Sequence, residues 1–115
     1  MRLFHITTRA AWTEAKELGS YRPPSLASEG FVHLSSDAQW LRSANRFFKG
    51  QQGLVLLVVE PDQLSAQLVF EPADGELFPH LYGELNLDAV LEVQDLRTST
   101  DGTISGLPAL GPIRD

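Results

Sequence analysis

The sequence of 115 residues predicts an α+β domain in which two main helices pack on a largely antiparallel or mixed sheet. Three observations lead to this prediction. Apolar and polar residues alternate in several short segments, as they do in half-buried strands. Two other segments carry apolar residues at helical spacing, and a glycine follows each of them. The elements run in the order strand, helix, strand, helix and then mostly strands, which is typical of an α+β fold.

The composition indicates one globular domain. Hydrophobic residues make up 43% of the chain and charged residues 21%, close to the averages for globular proteins. We expect the domain to span residues 1–97. Residues 98–115 contain several glycines and prolines but few large apolar side chains, so we expect them to form an extended or partly disordered tail.

Charge and residue usage narrow the classes of function. The net charge is −6 and the basic residues form no stripe, so binding to a nucleic-acid backbone is not expected. The chain has no cysteine, which excludes disulfides and thiolate catalysis. Neither a signal peptide nor a run of about 20 apolar residues is present, which predicts a cytoplasmic protein without a membrane span. The oligomeric state stays open.

The first half of the chain predicts two strands and two helices. Residues 2–7 form a first strand and residues 9–18 a helix, with Trp12 as a core anchor and Gly19 as its end. A loop with one helical turn at residues 25–28 leads to a second strand at residues 30–36. Ser36 and Asp37 are typical of a helix start, so the second helix is expected to run from there to about Lys49.

The second half predicts mainly strands. Residues 54–59 are continuously apolar, which indicates a strand buried on both faces. A hairpin-like return then leads to a strand at residues 67–71, and a turn at 72–75 leads to another at 77–83. Pro79 lacks an N–H, so this last segment is expected at an edge or a bulge. The final strand is expected at residues 90–96.

All three histidines occur in short strands of similar pattern: His5, His33 and His80. Alternation places Phe31 and His33 on one face of the second strand, opposite Val32 and Leu34. A single histidine in such a strand is more often a structural residue with a backbone hydrogen bond. Three in matching contexts favour a shared cleft.

Other candidate ligand contacts surround these strands. Ser35 and Ser36 lie where a strand meets the expected start of a helix, where backbone amides can hold an anion such as phosphate. Tyr21 and Arg22 precede two prolines, which can present both side chains either toward the cleft or toward solvent. These two alternatives are about equally supported.

The histidine motifs also carry a resemblance. The segments Phe4-His5-Ile6-Thr7, Gly30-Phe31-Val32-His33-Leu34-Ser35 and Phe78-Pro79-His80-Leu81-Tyr82-Gly83, together with Glu71, resemble an uncharacterised bacterial family, the domain of unknown function nine-five-two. The likeness covers residues 2 to about 96. That family more distantly resembles the ADP-ribosyltransferase fold, including its RNA 2′-phosphotransferase branch. The resemblance implies NAD as a ligand, with His5 at its ribose, His33 as a second contact and His80 at the third motif.

Two imidazoles and a carboxylate in one cleft would suit acid–base chemistry near neutral pH. The candidate catalytic residues are therefore His33, His80 and Glu71, although Glu71 could equally be an exposed glutamate at the end of a strand. The candidate ligand-binding residues are His5, Thr7, Tyr21, Arg22, Ser35, Ser36 and Tyr82. No metal is expected, because no two histidines stand at a short ligand spacing.

Two classes of function therefore stay open. The first is an enzyme of ADP-ribosyl or phosphotransfer chemistry that depends on NAD or another nucleotide. The second is a non-catalytic module that binds a nucleotide or another phosphorylated ligand. In both, the partner is a small nucleotide-like molecule; a protein-interaction domain is a third possibility if nothing small binds.

Overall fold

The computed structural model describes residues 1–106 and shows a mixed α+β fold with mostly antiparallel sheets, as predicted. Three α-helices, ten strands and two single-turn 3₁₀ helices, Pro61–Gln63 and Leu87–Ala89, form this part of the chain. In order, the α-helices and strands are β1 Leu3–Thr8, α1 Arg9–Leu18, β2 Ser20–Tyr21, α2 Pro24–Ser28, β3 Val32–His33, α3 Trp40–Phe47, β4 Leu54–Val59, β5 Gln67–Ala73, β6 Glu76–Tyr82, β7 Leu85–Asn86, β8 Val90–Asp95, β9 Arg97–Thr98 and β10 Ile104–Ser105.

The first sheet has the order β1-β4-β8 and is covered on both faces. All six residues of β4 are buried, which confirms the strand predicted from the apolar run. Its odd-numbered residues pack with Trp12 of α1, and its even-numbered residues pack with Trp40 of α3. The two helices therefore cover opposite sides of the same strand.

The second sheet has the order β3-β6-β5. β5 and β6 form the hairpin predicted around residues 72–75. The expected return from β4 into β5 is wrong, because these strands belong to different sheets: β4 pairs with β1 and β8 instead. The edge position predicted for Pro79 is also wrong, since β6 is the central strand of its sheet. Pro79 instead lies just beyond His33↔His80, where the pairing of β3 with β6 ends.

A single bridge joins the two sheets. The amide of Phe4 donates to the carbonyl of Ser35 at 2.8 Å, and the amide of Ser35 donates back to Phe4 at 2.8 Å. The segment after β3 therefore lies beside β1 on one side, while β3 itself pairs with β6 on the other. This arrangement places His5 of β1 directly next to the backbone of His33.

The helices agree with the predictions except at the start of α3. Helix α1 has the predicted bounds; Thr8 accepts a hydrogen bond from the amide of Ala11 at 3.0 Å, and Gly19 ends the helix at φ 84°. Helix α3 begins at Trp40, so the start predicted at residues 36–37 is wrong. No helix within residues 1–106 is long and apolar enough to cross a membrane.

Part of the expected tail is folded. Residues 97–105 contain the paired strands β9 and β10, and Ile104 is buried against the core on the α3 side. Asn45 of α3 holds this strand, because its side chain accepts from the amide of Ile104 at 2.8 Å and donates to its carbonyl at 3.0 Å. The domain therefore extends beyond residue 97. The rest of the expected tail, residues 107–115, lies outside the described residues.

The turn of the β5–β6 hairpin gives a first prediction. Asp74 and Gly75 have φ angles of 52° and 81°, the left-handed pair of a two-residue turn between antiparallel strands. Gly75→Ala should lower the free energy of unfolding by about 1 to 2 kcal/mol, because a Cβ is unfavourable in this region. Urea unfolding measures the change. Gly75→Asn is the matched control and should cost less, since asparagine tolerates left-handed backbone; equal costs would contradict this account.

Candidate functional site

One face of the second sheet collects aromatic, imidazole and carboxylate side chains. We call this set, Phe31, His33, Glu71, His80 and Tyr82, the histidine face. The ring of Phe31 stacks on that of His80 with centroids 3.9 Å apart and lies 5.4 Å from that of Tyr82. The centroids of His33 and His80 are 5.5 Å apart. The opposite face of the same strands is buried in the core through Val32 and Leu81.

The two histidines approach because of the strand register. The amide of Leu34 donates to the carbonyl of Pro79 at 3.1 Å, so these opposed residues form a hydrogen-bonded pair. The neighbouring pair, His33 and His80, is therefore of the non-hydrogen-bonded type, in which side chains come closer together. In such a pair the N–H and C=O of His33 point away from β6. The carbonyl of His33 consequently needs a donor from elsewhere.

The Glu71 carboxylate holds the ring of His80. Its Oε1 lies 2.8 Å from His80 Nδ1 and 2.5 Å from the Tyr82 hydroxyl. The pKa of Glu71 is lowered, first by the hydrogen bond from Tyr82 and then by that from His80, while the pKa of Tyr82 is raised mainly by the Glu71 hydrogen bond. An ionised Glu71 can only accept, so Nδ1 of His80 carries a proton.

The other nitrogen of His80 is thereby left as an acceptor. The side chain of His80 is largely buried, with 9% of its surface exposed. No buried side-chain nitrogen or oxygen within the described chain lacks a hydrogen-bond partner. Nε2 of His80 makes no hydrogen bond within the described chain, so this atom must be exposed at the surface. A neutral His80 therefore offers a bare imidazole nitrogen to a molecule on the histidine face.

His33 has its own carboxylate. Its Nε2 lies 2.9 Å from Glu29 Oε2, and 54% of its side chain is exposed. Glu29 caps the end of α2, four residues before His33, and the three residues between them contain no helix. The site therefore holds two imidazoles, each hydrogen-bonded to a glutamate, with rings close enough to contact one small ligand together.

His5 lies beneath this face, not on it. Its Nδ1 is 2.6 Å from the carbonyl of His33, and its Nε2 is 2.7 Å from the hydroxyl of Tyr21, which is 2.9 Å from Thr7 Oγ1. The ring is buried, and burial is the main cause that lowers its pKa from 6.5 to about 4. Burial also raises the pKa of Tyr21. Both nitrogens of His5 are therefore occupied within the protein.

These contacts determine the protons of the neutral network. The carbonyl of His33 can only accept, so Nδ1 of His5 is the protonated nitrogen and Nε2 is the acceptor. The single proton of Tyr21 then points to His5, and the hydroxyl of Thr7 closes the chain by donating to Tyr21. His5, Tyr21 and Thr7, which were predicted to bind ligand, form a buried link between β1, β2 and β3.

The remaining predicted ligand contacts are already bonded within the protein. Arg22 donates to Glu84 at 2.9 Å in an exposed ion pair, which is the first cause that lowers the pKa of Glu84. The amide of Ser35 is used in the bridge to β1. The amide of Ser36 donates to the side chain of Gln39 at 3.0 Å. The anion site predicted at these two amides is therefore wrong.

Sequence reasoning missed two residues of the site. Glu29 was assigned to a loop, and only its spacing of four residues from His33 could have indicated the pair. Phe31 was assigned to the same strand face as His33, but its stacking on His80 depends on a pairing with β6 that sequence alone does not reveal. In residues 1–106, no group of three or more histidine, cysteine, aspartate or glutamate side chains is arranged to hold a metal ion.

The buried His5 gives a second prediction. Its pKa is 6.5 in the unfolded chain and about 4 in the folded one, so between these values only the unfolded chain binds a proton there. The free energy of unfolding should therefore fall as the pH decreases from 6.5 to 4, by on the order of 3 kcal/mol. Urea unfolding across this range measures the loss, and NMR of the His5 ring assigns it.

Acidic residues contribute at lower pH, because Glu71 and Glu84, whose pKa values are lowered from 4.5, begin to lose their stabilisation only near that value; most of the range from 6.5 to 4 therefore belongs to His5. Hydrogen bonds, first that from Ser99, lower the pKa of Asp101 from 3.8 to about 2, so its stabilisation is lost only below pH 3.8. An imidazole of His5 that titrates near pH 6.5 would contradict the buried network.

Comparison with known proteins connects this geometry to a family. The family model described as "Protein of unknown function (DUF952)" matches residues 6–93. The crystal structure of protein CC0527 from Caulobacter crescentus is 36% identical, with a TM-score of 0.85, and the match covers 91% of this chain and 94% of that one. The solution NMR structure of CC0527 is 37% identical, with a TM-score of 0.75, over 88% and 89% of the two chains. No curated protein matches this chain.

Proposed function

Since the chain belongs to the DUF952 family of unknown function, we propose its activity from its own geometry. The histidine face is the active site of an enzyme that carries out acid–base chemistry on a nucleotide-like substrate. ADP-ribosyl or phosphotransfer chemistry is the reaction class, and NAD is the first candidate substrate. The observation that carries the proposal is the pair of glutamate-bound imidazoles, His33 and His80, with centroids 5.5 Å apart.

His80 acts as the general base in this proposal. Its surface-facing Nε2 accepts the proton of an attacking hydroxyl, and the ionised Glu71 stabilises the imidazolium that results. Glu71 also fixes the ring, because its carboxylate holds Nδ1 at 2.8 Å while the Tyr82 hydroxyl holds the carboxylate at 2.5 Å. A base that a carboxylate orients in this way is the arrangement found in many hydrolases and transferases.

His33 is the second acid–base group. Glu29 holds its Nε2 at 2.9 Å and leaves Nδ1 without a hydrogen bond among the described residues. Because the His33 ring is much more exposed than that of His80, it can move toward a bound substrate and exchange its proton with water. It is therefore suited to protonate a leaving group or to return a proton after His80 has removed one.

The surroundings support a substrate with a planar and positively charged ring. Phe31 and Tyr82 supply aromatic surface beside the two imidazoles, and planar bases stack on such surface. Glu29 and Glu71 add negative charge at the same place, which favours a cationic ring and a cationic transition state. The nicotinamide ring of NAD is cationic, and cleavage of its glycosidic bond develops positive charge on the ribose.

Binding of the phosphates needs a basic group near this face. Arg22 is the candidate, since its partner Glu84 lies only two positions after Tyr82 in the chain. The exposed ion pair is weak, so a phosphate group can replace the carboxylate as the partner of the guanidinium. Ser35, which alternates onto the same side of its strand as Phe31 and His33, is a further candidate contact.

Direct assay of the two substrate classes tests the proposal. The protein is incubated with NAD alone, and with NAD together with 2′-phosphorylated RNA as phosphate donor, and the products are identified by mass spectrometry. The proposal expects wild-type protein to give product in at least one of the two incubations and His80→Ala to give it at least about 10²-fold more slowly. Binding without turnover would favour a non-catalytic nucleotide-binding module instead. If neither compound binds, the proposed nucleotide chemistry is overturned and a protein-interaction role gains support.

A further inference from the structure

We propose that His5 is a positioning residue for His33 and makes no contact with the substrate. It acts through the backbone of β3, from the buried side of the sheet. The effect on activity rests on the function proposed above, whereas the effect on the geometry of His33 does not.

The first step of the argument concerns the carbonyl of His33. In the non-hydrogen-bonded pair with His80 this carbonyl points away from β6, so the β3–β6 ladder cannot satisfy it. His5 Nδ1 is its partner, at 2.6 Å. A buried carbonyl without a donor costs free energy. The imidazole of His5 therefore fixes the backbone of β3 at His33.

The second step concerns what fixes His5. Its Nε2 accepts from Tyr21 at 2.7 Å, and the rings of the two residues meet edge to face with centroids 5.1 Å apart. Tyr21 is itself buried and is held by Thr7 and by the pairing of β2 with β7. The ring of His5 is thus locked at both nitrogens, and its surroundings leave it no free donor or acceptor for a ligand.

The third step explains why such a support matters. Only two residues of β3 are regularly paired, both with β6. Toward β1, the segment is joined by a single bridge, between Ser35 and Phe4. A strand this short cannot define the position of an imidazole by its own ladder. Catalytic groups must be held to within fractions of an ångström, so the contact with His5 supplies the accuracy that the short strand lacks.

Two isosteric substitutions test this role. The side-chain amide nitrogen of asparagine can take the place of Nδ1, whereas the amide of glutamine takes the place of Nε2. His5→Asn keeps the donor to the carbonyl of His33 and should retain most of the activity. His5→Gln loses that donor and should lower kcat on the order of 10-fold to 100-fold with little change in KM. A residue that contacted substrate through Nε2 would give the opposite order.

An NMR measurement makes the test independent of activity. The ring signals of His33 and His80 should shift in His5→Gln and stay near their wild-type positions in His5→Asn. If His5→Gln fails to fold, Tyr21→Phe replaces it, since removing the hydroxyl loosens the His5 ring and should shift the His33 signals in the same direction. Unchanged His33 signals in every variant would overturn the positioning role, even if the enzyme proposal holds. Inactive wild-type protein with shifted signals would overturn only the enzyme proposal.

Discussion

Replacing Trp40 by alanine should lower the free energy of unfolding by about 3 to 5 kcal/mol, whereas replacing His33 by alanine should change it by less than about 1 kcal/mol. Trp40, the first residue of α3, is buried and packs on Phe4 of β1, with ring centroids 6.3 Å apart. Its removal leaves a cavity between α3 and the first sheet. The side chain of His33 is more than half exposed and its ion pair with Glu29 lies at the surface.

The contrast has a structural basis in the backbone. The hydrogen bond from His5 reaches the carbonyl of His33, which the alanine variant keeps. Urea unfolding of both variants, analysed with a common slope, measures the difference. If His33→Ala unfolds the domain as severely as Trp40→Ala, the His33 side chain is part of the core. His33 is then no candidate for ligand binding or acid–base chemistry on the histidine face.

His80→Ala should lower the rate of the reaction by about 10²- to 10⁴-fold, the usual contribution of a general base. The test uses whichever of NAD and 2′-phosphorylated RNA the wild-type protein converts. Glu71→Gln should lose less, because it retains an acceptor for Nδ1 but not the charge that stabilises the imidazolium. Rates under saturating substrate, followed by mass spectrometry, give the values.

Phe70→Ala is the matched control for this series. Phe70 lies on β5 beside Glu71, but alternation points it to the opposite side of the hairpin, where 44% of it is exposed. Its replacement should leave the rate near that of wild type. A loss in Phe70→Ala as large as that in His80→Ala would show that the hairpin as a whole, and not the base, determines the rate.

Sequence patterns predicted those parts of the fold that local physics decides. Residues 54–59 are all apolar, each a leucine or a valine, which is typical of a strand covered on both faces, and Asp74-Gly75 strongly favours a tight hairpin. The start of α3 and the partners of β4 were predicted wrongly. Ser36 has the chemistry of a helix cap, and the side chain of Gln39 accepts from its amide as in a capping box, but residues 37–39 form a turn and α3 begins only at Trp40. Strand order depends on long-range pairing that no local pattern encodes.

The candidate site shows the same division. Alternation correctly placed Phe31 and His33 on one strand face, and Glu71 is hydrogen-bonded to His80. His5 lies in a strand segment with the same kind of sequence pattern, yet its side chain points into the interior and contacts Tyr21. A period of two tells which residues share a face, but not which face another layer covers. That information comes only from the tertiary packing.

The most direct test of the central claim, that the histidine face binds a nucleotide-like ligand, is a thermal-shift titration with NAD on wild-type protein and on His33→Ala. A ligand that binds only the folded chain raises the midpoint of unfolding by mass action. The account predicts a midpoint that rises with NAD concentration in wild type and stays constant in His33→Ala. A rise of equal size in both proteins would place the ligand elsewhere on the surface, and no rise in either would contradict NAD binding altogether.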